Sequence, residues 1–446
     1  MPVGYEPGHA PAASGADPAW LGPVTHALLI FGLVAVGWLC PSPAEAQPPD
    51  DAAPQGRYLL GESVSVTPAV VIVAGRDSNA IRTNTGVAAG EVYVVPQIES
   101  WIGRGRVRLN VANAIEFARQ QTAAGVEGDA NTVVLNNATA LNQYHVARLD
   151  AGGARLSLQG TAGFRNHYAP PTDFVGFEIG LKSRRIETEL GTVVTLRPGG
   201  RIFYRGLVTA SRLRYDADAR FQGASLEQNL NRNITLFGGE AQVQLTPLSS
   251  MGVSVNYYRD RFLFAPDRDG NGVRVMAGGQ FSPRALLAGR AEAGYLRYRT
   301  VQNNAEYGGP AYNVGLSLIK APVFLDVSGR RTIEYSFDPG KGFYVSNGID
   351  VFSTVTLGTA WEAFGRAQRR GMSPKGPLAA QEPFRALELY KAGMARKFGA
   401  MSKIGTDIER YVTGGPGGFK GVRWTVFMIY GSTRLQRLDR PLPGGF

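Results

Sequence analysis

Apolar and polar residues alternate over long stretches of this chain. From residue 107, the apolar residues Val107, Leu109 and Val111 alternate with Arg108 and Asn110. Side chains of a β-strand point alternately to opposite faces, so each stretch predicts a strand with one apolar and one polar face. A soluble antiparallel sheet with one buried face would show the same alternation, and the length and number of the strands must distinguish the two.

About eighteen such stretches follow one another, and most are longer than the five or six residues usual for a soluble strand. A tilted strand of about 9–11 residues crosses a bilayer. We therefore predict membrane-spanning strands over these ranges: 62–74, 91–103, 105–117, 140–150, 153–168, 180–197, 200–215, 232–246, 250–264, 271–282, 285–300, 310–320, 323–337, 343–358, 360–371, 384–399, 401–412 and 419–433.

The connections alternate between short turns, such as Pro198-Gly199, and long polar loops, such as 118–139 and 216–231. Short connections on one side and long ones on the other are typical of outer-membrane barrels. The pattern predicts an all-β, transmembrane, antiparallel up-and-down β-barrel over residues 62–433, with about 18 strands and 16 as the alternative. An even number returns the chain to the periplasmic side.

The N-terminus predicts export. An apolar run from Ala27 to Cys40 precedes Pro41 and an Ala-Glu-Ala site at 44–46, which indicates a cleaved signal peptide over residues 1–46. The run is shorter than the ~20 residues of a membrane-spanning helix. Residues 1–26 hold no Lys or Arg, unlike a usual signal. We expect a periplasmic segment at 47–61, a periplasmic tail at 434–446 and location in the cell outer membrane.

The net charge of the chain indicates which partners it can bind. Residues 47–446 hold 47 basic and 33 acidic residues, a net charge of +14, and 39 of the basic residues are Arg. Arg binds carboxylates and phosphates through a rigid set of donors, which favours outer-membrane lipids with lipopolysaccharide, or an anionic passenger, as partners. The basic residues are spread along strands rather than clustered, so nucleic acid is not an expected partner.

Charged residues that alternate with apolar ones are expected to face a water-filled lumen. An excess of Arg there would favour anionic solutes; alternatively, these residues pair across strands and fill the lumen. On the last strand, Trp424 and Tyr430 are candidates for the aromatic girdles. The candidate pore-lining residues are Arg106, Arg108, Arg155, Arg165, Glu240, Arg290, Glu292, Asp326, Arg330, Asp407 and Arg423.

Catalytic and metal-binding patterns are weak. Asp267-Arg268-Asp269-Gly270-Asn271-Gly272 begins like a calcium loop, but position 12 is Gly278 instead of a bidentate Glu, which favours a turn. Only His145 and His167 follow the signal, and neither lies in a nucleophile motif. We predict no enzyme activity, no cofactor and no metal.

Several segments resemble the β-barrel porins of the porin-2 type: SVTPAVVIVAGRDSNAIR at 65–82, LTPLSS at 245–250, YYRDRFLFAPDRDGNG at 257–272 and FSPRALLAGRAEAGYLRYR at 281–299. The resemblance implies a barrel. It also implies translocation of an exopolysaccharide together with periplasmic polysaccharide-export proteins. A general diffusion porin for small solutes is one alternative, and a plugged structural or enzymatic barrel is another. The strand at 419–433 is similar to the signal read by the barrel assembly machinery.

Overall fold

The computed structural model describes residues 58–59, 63–78, 88–104, 106–122, 138–153, 155–168, 184–217, 219–221, 224–282, 285–301, 305–338, 342–376, 385–399, 402–414 and 420–431. The predicted signal peptide, most of the predicted segment 47–61 and the predicted tail at 434–446 lie outside these residues. So does most of the predicted loop 118–139.

Eighteen long strands form one closed antiparallel barrel, which confirms the predicted fold class and strand number. Three short strands are added to them, β1 (Tyr58–Leu59), β9 (Arg220–Phe221) and β10 (Ala224–Ser225). The long strands are β2 (Val64–Asp77), β3 (Ala89–Arg104), β4 (Val107–Thr122), β5 (Ala138–Gly152), β6 (Leu156–Tyr168), β7 (Arg184–Gly199), β8 (Ile202–Tyr215), β11 (Arg232–Thr246), β12 (Ser249–Phe262), β13 (Gly270–Phe281), β14 (Leu287–Thr300), β15 (Glu306–Lys320), β16 (Val323–Tyr335), β17 (Phe343–Leu357), β18 (Trp361–Lys375), β19 (Arg385–Phe398), β20 (Ser402–Gly414) and β21 (Lys420–Gly431).

Two pairings close the barrel. Strand β2 pairs with β21, from Ala69 opposite Gly431 to Asp77 opposite Arg423. Strand β8 pairs with β11, which follows the short elements after residue 215. Closure gives every long strand a neighbour on both sides, so most of their backbone donors and acceptors are satisfied within the sheet, as a hydrocarbon environment requires.

The exposed face of the strands is apolar and the buried face is polar, which is the reverse of a soluble protein. On β12, Met251, Val253 and Val255 are 57%, 50% and 48% exposed, whereas Ser254 and Asp260 on the opposite face are buried. Exposed apolar side chains recur on the same face of the other long strands. This face is the one that contacts lipid, and the polar face surrounds the lumen.

The long-loop end carries structure that the sequence analysis does not predict. Within loop 216–231, Leu226–Leu230 is a short helix whose N-cap Ser225 accepts a hydrogen bond from the backbone of Gln228. Residues Pro266–Arg268 form a single 3-10 turn. Across the described ranges, neither helix is long and apolar enough to cross a membrane.

One seam of the barrel is incomplete. The ladder between β15 and β16 ends at Asn313 opposite Arg330, although β15 continues to Glu306 and β16 to Tyr335. The carbonyl oxygen of Pro310 accepts a 2.9 Å hydrogen bond from Arg331 on β16. The N and C=O of a strand residue point to the same side, so Pro310 lacks a donor on the side of β16. The Arg331 side chain supplies a donor to Pro310 where the ladder is missing.

Candidate functional site: the barrel lumen

Strand register determines which side chains share the lumen. Residues opposite each other in adjacent strands lie on one face, so a row can be followed from Arg205 on β8 through Glu240 on β11 to Ser254 on β12. The row through Arg423, Glu409 and Lys391 follows β21, β20 and β19 in the same way. Both rows lie opposite the exposed apolar face.

Arg290 on β14 is the centre of the first charge cluster. Its Nη2 lies 2.7 Å from Oε1 of Glu240 on β11 and also contacts Glu292 on its own strand. Arg205 Nη1 lies 3.5 Å from Oε2 of Glu240. Both carboxylates are shielded from solvent, with side-chain exposures of 6% and 8%. Two arginines and two glutamates thus neutralise one another at this part of the wall.

The second cluster lies around the last strand of the barrel and reaches β3 across the closure seam. Arg423 Nη2 on β21 lies 3.1 Å from Oε1 of Glu409 on β20, and its Nη1 lies 3.7 Å from Oε1 of Glu91 on β3. Beside it, Lys391 Nζ lies 3.0 Å from Oδ2 of Asp407. These contacts connect strands that are far apart in the sequence and stabilise the closure seam.

Further acidic residues each hold basic partners. Glu187 on β7 contacts Arg185 and lies 3.5 Å from Nη1 of Arg165. Arg366 Nη2 lies 2.7 Å from Oδ2 of Asp350. Paired charges therefore line the wall in several places, and an aqueous lumen hydrates what these pairs leave exposed.

Nine of the eleven candidate pore-lining residues lie on the inward face of a strand: Arg108, Arg165, Glu240, Arg290, Glu292, Asp326, Arg330, Asp407 and Arg423. Arg106 and Arg155 instead lie exposed just before β4 and β6, because these strands begin two and three residues later than expected. They are at the short-turn end and not in the wall.

Basic residues are not in excess over acidic ones on the inward face of the described strands. Within the described strands, its basic and acidic residues are present in about equal number. The basic ones are Arg108, Arg148, Arg165, Arg185, Arg197, Arg205, Arg232, Arg274, Arg290, Arg330, Arg366, Arg370, Lys391, Lys397, Lys403 and Arg423. The acidic ones are Asp77, Glu91, Glu99, Glu116, Asp150, Glu187, Glu189, Glu240, Asp260, Glu292, Asp326, Glu334, Asp350, Glu362, Asp407 and Glu409.

The two girdle candidates lie on the outward face of β21, near opposite ends. Trp424 is 52% exposed and lies toward the long-loop end, and Tyr430 lies next to the last residue of the strand. Tyr257 and Tyr295 are also exposed on the outward faces of β12 and β14.

Both histidines make polar contacts. His145 faces outward and its Nδ1 lies 2.9 Å from Oδ1 of Asn113, whereas His167 faces inward and its Nε2 lies 3.3 Å from Oε1 of Glu187. In the calcium-like segment, Oδ1 of Asp269 accepts a 2.7 Å hydrogen bond from the backbone of Phe262. Among the described residues, no three His, Cys, Asp or Glu side chains are grouped to hold a metal ion.

Sequence reasoning missed a cap at the long-loop end. We use "cap" for the helix 226–230, the turn 263–269, and residues 336–338 and 342 of the connection after β16. Leu226 and Leu230 are buried against aromatic residues at the ends of the wall strands, including Tyr298, Tyr335 and Phe343. Two leucines one helical turn apart, and aromatic residues at inward positions such as Phe262 and Tyr298, were the available signals.

Arg268 holds the cap together. The residue is 1% exposed, and its guanidinium donates to the carbonyl oxygens of Asn229 at 2.5 Å, Ser336 at 2.6 Å and Gly342 at 3.2 Å. It also lies 5.1 Å from the ring centre of Phe262. Three separate connections thereby become one unit over this side of the lumen.

The closed 18-strand wall, with lipid-facing apolar residues and a charged interior, defines an outer-membrane β-barrel porin. The chain belongs to the family described as "Putative beta-barrel porin 2", whose model matches residues 54–315.

Solved structures similar to this chain include OccAB3 of Acinetobacter baumannii, with 9% identity, 82% of this chain and 99% of that chain covered, and a TM-score of 0.43. OccK7 (OpdD) of Pseudomonas aeruginosa has 7% identity, coverage of 83% and 99%, and a TM-score of 0.43. A BenF-like porin of Pseudomonas fluorescens Pf-5 has 9% identity, coverage of 82% and 98%, and a TM-score of 0.43. No curated protein matches the sequence.

Proposed function

We propose that this protein is a passive channel for small hydrophilic solutes. The observation that carries the proposal is the charged inner wall, in which Glu240, Arg290 and their neighbours are held in fixed pairs within a closed barrel. Fixed charges lining an aqueous path give solutes a hydrated route across the hydrocarbon layer. Because acidic and basic residues balance, the wall favours weak selection by charge.

The cap supports small solutes over a polymer. Leu226, Leu230 and Arg268 hold three connections together on one side of the long-loop end. An exported polysaccharide chain would have to pass this packed unit or displace it. Export with periplasmic partner proteins, the function implied by the family resemblance, therefore ranks second, and no contact among the described residues favours it.

Liposome swelling tests the proposal. Liposomes that contain the purified barrel should swell in isotonic monosaccharide and disaccharide solutions and should not swell in dextran. Planar-bilayer reversal potentials should show weak ion selectivity. A barrel that conducts neither sugars nor ions would overturn the proposal. Loss of cell-surface polysaccharide in a gene deletion, restored by the wild-type gene, would support export instead.

A further inference from the structure

The outward face of the barrel carries arginines at its long-loop end. Three strands end in an Arg-x-Arg pair whose side chains face outward: Arg212 and Arg214 on β8, Arg259 and Arg261 on β12, and Arg297 and Arg299 on β14. We call these six residues the arginine belt. The inner wall is balanced in charge, whereas the belt concentrates positive charge on the outside of the molecule.

The belt lies at the height of lipid headgroups. On β12 the outward residues run from Val253 and Val255 to Tyr257 and then to Arg259. On β14 the exposed Tyr295 comes just before the first Arg in the same way. Tyrosine marks the border of the hydrocarbon layer in barrels, so the next outward residues reach the polar layer.

Strand register places the belt residues within reach of one ligand. Arg212 and Arg261 both flank Asn233 on β11, and Arg259 and Arg299 both flank Asn271 on β13. Adjacent strands are about 4.8 Å apart and alternate residues about 7 Å apart, so neighbouring guanidinium groups can contact phosphates of the same headgroup.

Several of these guanidinium groups have no acidic partner. Arg297 is paired with Glu306 at 2.9 Å and Arg261 with Asp269 at 3.4 Å. Arg212, Arg259 and Arg299 are exposed and form no ion pair with a described residue. An exposed guanidinium fork without a carboxylate is a ready donor set for phosphate.

We propose that the arginine belt binds the phosphates of the lipopolysaccharide headgroup in the outer leaflet. The long-loop end of an outer-membrane barrel faces outward, which places the belt beside a phosphorylated saccharolipid. The proposal is independent of what passes through the lumen, so it can hold or fail separately from the proposed function.

Binding of diphosphoryl lipid A to the purified barrel tests the proposal, with native mass spectrometry as the readout. The test variant is R212Q/R259Q/R299Q. The matched control is R155Q/R201Q/R396Q, which removes three exposed or outward arginines at the short-turn end. We expect lipid A to bind about tenfold more weakly to the test variant and to keep its affinity for the control. The heat-dependent shift in gel mobility checks that both variants fold.

The proposal is overturned if the test variant binds lipid A as the wild type does, or if the control loses as much affinity as the test variant. It is also overturned if the wild type binds dephosphorylated lipid A as tightly as lipid A. Phosphatidylglycerol is the competing probe. If it displaces lipid A at equal concentration, the belt attracts anionic lipid in general and the assignment to lipopolysaccharide fails.

Discussion

The guanidinium of Arg268 donates a 2.6 Å hydrogen bond to the carbonyl oxygen of Ser336, 68 residues later in the chain. This contact joins the connection after β12 to the connection after β16. Since Asn229 and Gly342 accept from the same guanidinium, one buried side chain contacts all three parts of the cap.

Replacing Arg268 with Gln should loosen the cap. Three buried carbonyl oxygens lose their shared donor, at a cost of about 3 kcal/mol to the cap. We expect larger and noisier single-channel conductance in planar bilayers while the barrel stays folded. Arg297→Gln is the control, because that side chain is 68% exposed. Identical conductance in both variants would show that the cap does not limit passage.

Charge removal at the Arg290 cluster should change ion selectivity in opposite directions. Glu240→Gln leaves the positive charges of Arg290 and Arg205 less neutralised, so the reversal potential in a salt gradient should shift toward anion selectivity. Arg290→Gln should shift it toward cations. Glu306→Gln, on the outward face, should leave it unchanged. Shifts of the same sign in both inner variants would place the conduction path away from this cluster.

The barrel was predictable because each wall strand has one lipid-facing and one water-facing side. Strand β11 has the predicted bounds, Arg232–Thr246, and all eighteen predicted strands are present. Larger differences occur at the long-loop end. Strand β18 was predicted to end at residue 371 and continues to Lys375. Strands there extend beyond the hydrocarbon layer, so alternation of apolar and polar residues no longer marks their ends.

The cap was not predictable from periodicity, since it depends on contacts between distant loops. Asn229 Nδ2 donates to the Phe337 carbonyl oxygen at 2.9 Å, across 108 residues. The helix at 226–230 is too short for a helical period to appear in the sequence. Counting arginines also could not assign them to a face: Arg290 lines the lumen and Arg299 faces outward, although both lie on β14.

The seam between β15 and β16 should depend on Arg331. Its Nη1 lies 2.9 Å from the Pro310 carbonyl oxygen and 3.2 Å from the Tyr307 hydroxyl. Arg331→Met should weaken this contact by about 1–2 kcal/mol and raise amide exchange at 331–335. Hydrogen–deuterium exchange with mass spectrometry measures the effect. Arg299→Gln, on β14, is the control, and equal exchange in the two variants would contradict the role given to Arg331.

The closure seam provides a steric prediction. The Tyr411 hydroxyl donates a 2.6 Å hydrogen bond to Oδ1 of Asp77, across 334 residues of sequence, and its ring lies directly over Gly421. A Cβ added at Gly421 would overlap that ring, so Gly421→Ala must displace Tyr411 from Asp77. We expect the free energy of unfolding in urea to fall by about 2 kcal/mol, with the heat-dependent shift in gel mobility as the readout.

Gly414→Ala is the matched control for Gly421→Ala, since a Cβ there meets no atom within 4 Å. It should unfold at nearly the wild-type urea concentration. Tyr411→Phe removes the hydrogen bond and keeps the ring, so it separates loss of the hydrogen bond from steric overlap. If this variant loses about 1 kcal/mol of unfolding free energy, the rest of the loss in Gly421→Ala is due to overlap. If all three variants unfold at the same urea concentration as the wild type, the contact between Tyr411 and Asp77 contributes nothing to closure of the barrel.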